Sequence, residues 1–189
     1  MPLPPSVAGV RWREGRPDDV DAVTAIAEAA DAVDAPEAVR TRADVAQLLA
    51  AVRPERALVV GEREGAAVAF GIRFRPGGGP VRLLGAVEPG SRGRGVGRVL
   101  LQSMIEGAAA AEPDAPMMTV RSGGDGGVVP LARRLGFVET RVFLTMRRDL
   151  AQPIEPVAVP GGLRLVPFGP DLDEPLRICL LYTSPSPRD

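Results

Sequence analysis

The chain lacks three residue types on which many enzymes depend. It contains no histidine, no lysine and no asparagine, and all 23 of its basic residues are arginine. Without histidine, a Ser-His-Asp triad, a Cys-His pair and a His-ligated zinc site are excluded. Without lysine, Walker A nucleotide-binding loops and enzymes that form a Schiff base through their own lysine are excluded. Any proton transfer must therefore use aspartate, glutamate, water or the backbone.

Cysteine and long apolar runs are also scarce. Cys179 is the single cysteine, which excludes an internal disulfide and a cysteine-cluster metal site, and we expect no bound metal. No apolar run approaches the roughly 18–20 residues of a membrane span, and the N-terminus does not resemble a signal peptide. The net charge of −1 argues against a general nucleic-acid surface. We expect a cytoplasmic protein that binds neither membranes nor nucleic acids.

The remaining composition is that of a globular protein, with 45% hydrophobic and 25% charged residues. Hydrophobic periodicity and turn residues predict the order β-α-α-β-β-β-α-β-α-β, which is a mixed α/β sheet. The predicted strands cover 10–13, 57–62, 66–75, 81–87, 117–121 and one or two segments within 137–148. The predicted helices begin at Pro17, at Thr41 with a capping box to Asp44, at Val96, and near Asp125.

Four segments are predicted besides a main domain at 9–150. Residues 1–8 are predicted to be disordered, and the proline-rich stretch 151–161 to be a linker. The segment 162–176 is predicted to begin a truncated second copy of the domain; the alternative is two unrelated stretches of similar composition. Four identities carry this prediction at a constant offset of 153 positions: Gly9 and Gly162, Arg11 and Arg164, Pro17 and Pro170, and Asp18 and Asp171. Residues 177–189 are typical of translated sequencing adapter, and we exclude them from functional reasoning.

The loop after the strand at 81–87 carries the most chemical information. It reads Arg92-Gly93-Arg94-Gly95-Val96-Gly97-Arg98 and opens a helix. Glycines let the backbone approach a ligand, the first helical N–H groups are unpaired, and the helix dipole favours negative charge. The dinucleotide pattern GxGxxG fails because Arg98 stands where its last glycine is needed. The loop therefore predicts a pyrophosphate site; the alternative is a solvent-exposed loop without a ligand.

Arg92-x-x-Gly95-x-Gly97, preceded by Val87-x-Pro89, resembles the acetyl-CoA signature of the GNAT-family N-acetyltransferases. The resemblance covers about residues 9–149, including Leu135-Gly136-Phe137 at the end of the last helix. It implies the GNAT fold: a mostly antiparallel central sheet with splayed fourth and fifth strands and flanking helices. The junction from Met146 to the restarting strand at 163–166 resembles tandem GNAT proteins of the mycothiol synthase type. A second GNAT domain is therefore the expected partner.

The resemblance also implies roles for individual residues. Backbone groups of Gly85, Ala86 and Val87 would bind the pantetheine arm of acetyl-CoA, and the N–H near Val87 would be the oxyanion donor. Residues Arg92, Gly93, Arg94, Gly95, Val96 and Gly97 would hold the pyrophosphate, with Arg98 as an outer contact. The acceptor would be a small-molecule primary amine that attacks directly. In the mycothiol synthase type, this is the cysteinyl amine of a glucosaminyl-inositol conjugate.

Two proton-transfer residues common in the family are missing. The strand Val81–Ala86 has no carboxylate where many members place a glutamate, and Ala132 stands at the position of a frequent tyrosine. Glu88 is the candidate base, with an ordinary loop acid as the alternative.

Three acids between the first two helices, Asp31, Asp34 and Glu37, either bind the acceptor amine or are ordinary loop acids. Arg73 and Arg75 on the third strand either face an anionic acceptor or lie at the surface. Two functions therefore stay open: an N-acetyltransferase, or a non-catalytic acetyl-CoA-binding module whose catalytic partner is the second copy.

Overall fold

The structure is a computed structural model that describes residues 2–34, 40–53, 57–120, 127–141, 148–149, 151–153 and 161–162. The chain divides into two compact units, residues 1–141 and 142–189. In the second unit, Arg148 Nη2 donates to the carbonyl of Pro153 over 2.8 Å. The predicted linker, second repeat and adapter tail fall largely outside the described residues, and these domain boundaries stay predictions.

A five-stranded sheet organises the first unit, with strand order β1-β2-β3-β4-β5. Strands β1 to β4 pair antiparallel with their neighbours, and β4 pairs with β5 in parallel. The strands are β1 (Arg11–Glu14), β2 (Leu58–Arg63), β3 (Ala66–Phe74), β4 (Val81–Val87) and β5 (Met118–Val120).

Helices cover both faces of the sheet. They are α1 (Val20–Asp34), α2 (Arg42–Val52), α3 (Val96–Ala111) and α4 (Val128–Arg134), and short 3-10 turns cover Pro17–Asp19, Pro76–Gly78 and Pro89–Ser91. Because side chains alternate along a strand, neighbouring residues of β3 enter different cores. Phe70 packs with α1 and α2, whereas Ala69 packs with α3.

Local sequence signals account for the helix ends. Thr41 Oγ1 accepts the Asp44 amide over 3.2 Å, and Asp44 Oδ2 accepts the Thr41 amide over 2.8 Å, so the predicted capping box is confirmed. The hydrogen bonds that the Thr41 amide and hydroxyl donate to the Asp44 carboxylate lower the pKa of Asp44. At the end of α4, the Phe137 amide donates to the Ala132 carbonyl over 3.0 Å, and Gly136 has φ of 87°. The Leu135-Gly136-Phe137 helix end is therefore confirmed.

A buried ion pair fixes the first strand to the start of α1. Asp19 is 6% exposed, and its carboxylate accepts both Nη atoms of Arg13, at 2.8 and 2.6 Å. Burial favours the neutral acid, but the hydrogen bonds from Arg13 and from the Arg16 amide outweigh it and lower the pKa of Asp19. Arg13 Nε also donates to Glu62 on β2 over 2.6 Å, so one guanidinium ties three elements together.

The N-terminal segment, which the sequence predicts to be disordered, is described from Pro2 onward. Ser103 Oγ on α3 donates to the Pro2 carbonyl over 2.7 Å, and Trp12 Nε1 donates to the Pro5 carbonyl over 3.2 Å. A side chain on Gly95 would meet Val7 at 3.6 Å. The segment therefore lies along α3 as far as the start of that helix.

The predicted elements agree with the structure within a few residues through α4. Strand β5 is described only as Met118–Val120, shorter than the predicted 117–121. Asp125, proposed as a helix cap, lies outside the described residues, as does most of the predicted final strand region. Residues 137–141 of that region are described, and they form no strand. No described helix has the length and apolarity required to cross a bilayer.

Candidate functional site

Within the described residues, one half of β4 pairs with β5 and the other does not; we call them the closed half and the open half. In the closed half, Val81 and Leu83 are 0% and 3% exposed. Residues Val81–Leu83 pair with β5 on one side, and Arg82 and Leu83 also pair with β3 on the other. In the open half, Gly85 is exposed and Val87 is partly buried. The described part of β5 ends at Val120, opposite Leu83. Beyond Leu83, no described residue pairs with β4 on the side of β5, and the parting of the fourth and fifth strands stays a prediction.

Along β4, the backbone hydrogen bonds alternate between its two sides. This alternation decides which amides face the side of β5. The Val81 amide donates to Met117 beside β5 over 3.0 Å, whereas the Glu88 amide donates to Val68 on β3 over 2.9 Å. Because successive backbone groups point to opposite sides of a strand, Gly85 and Val87 face the side of β5. The backbone of Ala86 is directed to β3, opposite Phe70. Within the described residues, the Gly85 backbone and the Val87 amide have no partner on that side, whereas the Val87 carbonyl accepts Arg92 Nε.

A close approach between strands fixes the open half of β4. Gly85 lies opposite Gly71, and a Cβ on Gly85 would come within 2.7 Å of the Phe70 carbonyl oxygen. Real Cβ atoms do not approach a backbone oxygen so closely, so glycine is required at position 85 for β3 and β4 to remain paired here.

A 3-10 turn at Pro89–Ser91 joins β4 to the glycine-rich loop. Ser91 is fully buried, and its Oγ donates to Glu88 Oε2 over 2.7 Å, while its amide donates to the Glu88 carbonyl over 2.9 Å. Glu88 is thereby held at the end of the strand. The sequence reasoning missed Ser91; the signal that could have found it is a serine three residues after an acid at a turn.

The glycine-rich loop presents a continuous run of backbone donors. Gly95 is the N-cap of α3 with φ of 86°, a conformation that L side chains rarely adopt. Among the described residues, the amides of 93–97 have no acceptor, because the first amide hydrogen bonds of α3 are those of Arg98 and Val99 to Gly95. Five successive N–H groups and the positive end of a 16-residue helix suit a pyrophosphate.

The three arginines of the loop have different surroundings. Arg92 Nη1 and Nη2 donate to Asp34 over 2.7 and 3.0 Å, and its Nε donates to the Val87 carbonyl over 2.9 Å. Arg94 and Arg98 are exposed, and neither has a partner in the described part of the chain. Two of the predicted phosphate-binding arginines are therefore free to contact a ligand.

Two of the three acids predicted to bind the acceptor amine, Asp31 and Asp34, lie within the described residues. Asp34 ends α1, and both of its carboxylate oxygens accept from Arg92. Asp31 lies 3.4 Å from Arg40, and Glu37 lies outside the described residues. The structure therefore brings one predicted substrate residue, Asp34, against one predicted cofactor residue, Arg92, which the sequence reasoning did not foresee.

Two further arginines serve the fold. Arg73 Nη1 donates to the Gly107 carbonyl over 2.5 Å, and Arg75 Nη1 donates to Glu112 and Asp114 over 3.1 Å each. Arg73 fastens β3, and Arg75 the turn after it, to the last part of α3 and the residues that follow. Arg73 and Arg75 are therefore partly buried and have intramolecular partners, and their contact with an anionic acceptor stays a prediction.

Helix α4 closes one side of the loop. A Cβ on Gly97 would lie 3.7 Å from Val87 and 3.8 Å from Leu131, so β4, α3 and α4 converge there. Ala132, at the position of the family's frequent tyrosine, is 6% exposed. No group of three or more potential metal ligands (His, Cys, Asp or Glu) occurs together within the described residues.

The residues present fit the two parts of acetyl-CoA that need hydrogen-bond donors. The unpaired amides of 93–97 and the free guanidinium groups of Arg94 and Arg98 match a diphosphate. The open half of β4 offers the amides of Gly85 and Val87 to an extended amide-bearing arm, as an exposed strand edge does for a peptide.

Sequence comparison finds relatives named mycothiol acetyltransferase, although no protein-family model matches the chain. The protein of Acidothermus cellulolyticus is 34% identical over 94 residues, which cover 50% of this chain and 27% of that protein. The protein of Thermobispora bispora is 33% identical over 171 residues, which cover 84% of this chain and 51% of that protein. The matched regions thus span about a quarter to a half of the relatives' length.

Structure comparison finds GNAT acetyltransferases. The phosphinothricin acetyltransferase of Sinorhizobium meliloti, solved in complex with acetyl-CoA, superposes with a TM-score of 0.55 at 20% identity. The match covers 68% of this chain and 74% of that one, and it shows a common fold. The chain therefore has the fold of the GNAT acetyltransferases and resembles proteins named mycothiol acetyltransferase in sequence.

Proposed function

We propose that the chain binds acetyl-CoA and transfers its acetyl group to the primary amine of a small molecule. The observation that carries this proposal is the run of unpaired amides at 93–97 beside the open half of β4. Five donors and two free arginines, each engaged at about 1–3 kcal/mol before ordering costs, are enough for the ~8 kcal/mol of a micromolar ligand.

The chain's own residues supply orientation and electrostatic stabilisation. The bound thioester supplies an acetyl group that an amine can attack without a covalent enzyme intermediate. In this proposal the loop amides anchor the diphosphate, and Gly85 holds the arm along β4. The Val87 amide donates to the thioester carbonyl oxygen, where a fixed donor stabilises the charge that develops during attack.

Glu88 is the carboxylate that this proposal assigns to the amine's proton. It is the only acid from Val81 to Ser91, and it follows the open half directly. The hydroxyl of Ser91 holds Oε2, whereas Oε1 has no protein partner in the described part of the chain. When the amine nitrogen bonds to the acetyl carbon and the C–S bond breaks, Oε1 accepts the amine's proton directly or through water.

The acceptor class comes from the sequence relatives. Their name, mycothiol acetyltransferase, and the resemblance to the tandem type support the cysteinyl amine of a glucosaminyl-inositol conjugate as the acceptor. Because the matches to these two relatives span 27% and 51% of their length, a second GNAT domain is the proposed partner in the whole protein.

A second candidate function has its own supporting observation. Strand β4 carries no carboxylate, and a buried alanine, Ala132, occupies the tyrosine position. A domain without these groups can bind acetyl-CoA and support a catalytic partner domain. In that case acetyl-CoA binds but no amine is acetylated.

Two measurements on the full chain test the proposal. Calorimetry with acetyl-CoA, and with adenosine diphosphate as the phosphate-only ligand, is expected to give micromolar binding of acetyl-CoA. Release of the CoA thiol is then followed with a panel of primary amines, with Gly95→Glu as the negative control. Turnover above the control supports the enzyme, whereas binding without turnover supports the module. Binding of neither ligand contradicts both functions.

A further inference from the structure

Arg92 connects the open half of β4 to the end of α1. Its two Nη atoms contact the two oxygens of Asp34, and its Nε contacts the Val87 carbonyl. Asp34 is the last residue of α1, and Val87 is the last residue of β4. A single guanidinium therefore uses one N–H of each of its three nitrogens to hold the ends of two elements.

The geometry restricts what Arg92 and Asp34 can do for a ligand. The paired contacts fix the guanidinium in the plane of the carboxylate, which a flexible ammonium cannot reproduce. Both oxygens of Asp34 accept from Arg92, so its charge is already compensated and it is poorly placed to attract an acceptor amine. The charge of Arg92 is likewise compensated by Asp34, so Arg92 is poorly placed to neutralise a bound diphosphate.

The contact to Val87 links this pair to the proposed chemistry. Within a strand, the N–H and C=O of one residue point to the same side, so the Val87 carbonyl held by Arg92 lies on the side of the Val87 amide. Fixing the carbonyl also fixes the direction of that amide relative to the loop at 93–97.

We propose that Arg92, held by Asp34, is a positioning residue that aligns the Val87 amide with the bound thioester. This inference rests on the proposed function, and it assigns the diphosphate to the loop amides with Arg94 and Arg98. Arg92 then contributes to binding of the arm and thioester, which acetyl-CoA has and adenosine diphosphate lacks.

Three variants separate positioning from direct phosphate binding: Arg92→Lys, Arg92→Gln and Asp34→Asn. Lysine is a normal phosphate ligand but cannot hold Asp34 at two points and Val87 at a third. The matched control is Asp21→Asn, on the same helix as Asp34. It breaks a highly exposed ion pair of 2.6 Å between Asp21 and Arg42 at the start of α2. The dissociation constants for acetyl-CoA and for adenosine diphosphate are measured for each variant, together with the double variant Asp34→Asn/Arg92→Gln.

The positioning role predicts a ligand-specific loss. Each single variant is expected to weaken acetyl-CoA binding about tenfold, and the double variant no more than a single one, because both remove the same contact. Binding of adenosine diphosphate is expected to change less than twofold, and Asp21→Asn is expected to change neither ligand. The ratio of the two constants is independent of the folded fraction, so a destabilised variant is still informative.

Other outcomes overturn the inference and leave the proposed function intact. If Arg92→Lys keeps the affinity while Arg92→Gln weakens both ligands equally, Arg92 binds phosphate directly. If no variant changes the ratio of the constants, the pair has no positioning role. Absence of binding to the unmodified chain is a different result, because it refutes the proposed function itself.

Discussion

The two halves of β4 differ in their neighbours, and the difference separates stability from binding. Arg82 and Leu83 have a strand on each side, and Val81 and Leu83 are buried. Gly85 and Val87 direct backbone groups toward the side of β5, where no described residue pairs with them. Unsatisfied backbone groups are costly inside a protein, and they persist where a ligand or water can satisfy them. Changes near the open half should therefore weaken ligand binding, and changes at buried contacts elsewhere should lower the stability of the fold.

The largest expected effect comes from Gly95→Glu. A carboxylate at the N-cap of α3 places a negative charge where the diphosphate is proposed to bind, and a side chain at φ of 86° strains the loop. We expect acetyl-CoA affinity to fall more than about 100-fold, or roughly 2.7 kcal/mol. Gly65→Glu is the matched control, because Gly65 has φ of 82° with open space around it in the β2–β3 turn. Equal losses in both variants would contradict the proposed site.

Asp19→Asn tests a buried contact outside β4. Removing the carboxylate leaves Arg13 without its buried partner, and we expect about 2–3 kcal/mol lower stability at pH 7 with unchanged acetyl-CoA affinity. Because the pKa of Asp19 is lowered by folding, its contribution is complete above the unfolded value of about 3.9 and is lost as the pH falls further. Chemical denaturation at several pH values should show a constant difference between the proteins from pH 7 to 5 that shrinks below about pH 4. A difference that grows on acidification would contradict this assignment.

Gly85→Ala sharpens the comparison within one strand pair. Its Cβ would meet the Phe70 carbonyl at 2.7 Å, so we expect β3 and β4 to separate locally, with about 1–2 kcal/mol lost stability and about tenfold weaker acetyl-CoA binding. Gly71→Ala is the control on the opposite strand, where a Cβ would meet the flexible Met104 side chain at 2.6 Å. That variant is expected to lower the melting temperature and to leave affinity unchanged. If Gly71→Ala alone weakened acetyl-CoA binding, the ligand would have to be assigned to β3 and not to β4.

The smallest expected effects are those of Arg94→Gln and Arg98→Gln. Both side chains are exposed, so each is expected to weaken acetyl-CoA and adenosine diphosphate binding by about two- to fivefold, and less at high salt. Arg11→Gln, on an exposed residue of β1, is the control for net charge. A salt-independent loss, or an equal loss in the control, would remove these arginines from the site.

Local signals in the sequence predict most of the fold. Thr41 and Asp44 mark the start of α2, and the bounds of β4 coincide with the predicted 81–87, since capping and period-two patterns involve near neighbours. The backbone conformation of the glycine-rich loop was likewise predictable, because it depends on consecutive residues.

Contacts between distant segments are not predictable in this way. Asp34 and Arg92 are 58 positions apart, and nothing near either residue signals that they pair. The direction of the Val87 amide depends on the register of β3 and β4, which a single sequence does not specify. The Glu88–Ser91 contact is local, but without the structure it cannot be distinguished from two solvated loop residues.

The most direct test of the account follows individual backbone amides as acetyl-CoA is added to the ¹⁵N-labelled chain. We predict that the amide resonances of 93–97, Gly85 and Val87 shift together with one dissociation constant, while Ala86, whose amide is directed to β3, shifts less. Adenosine diphosphate should move the loop resonances and leave Gly85 and Val87 in place. Shifts confined to other parts of the chain, or loop amides that do not respond to acetyl-CoA, would contradict the central claim.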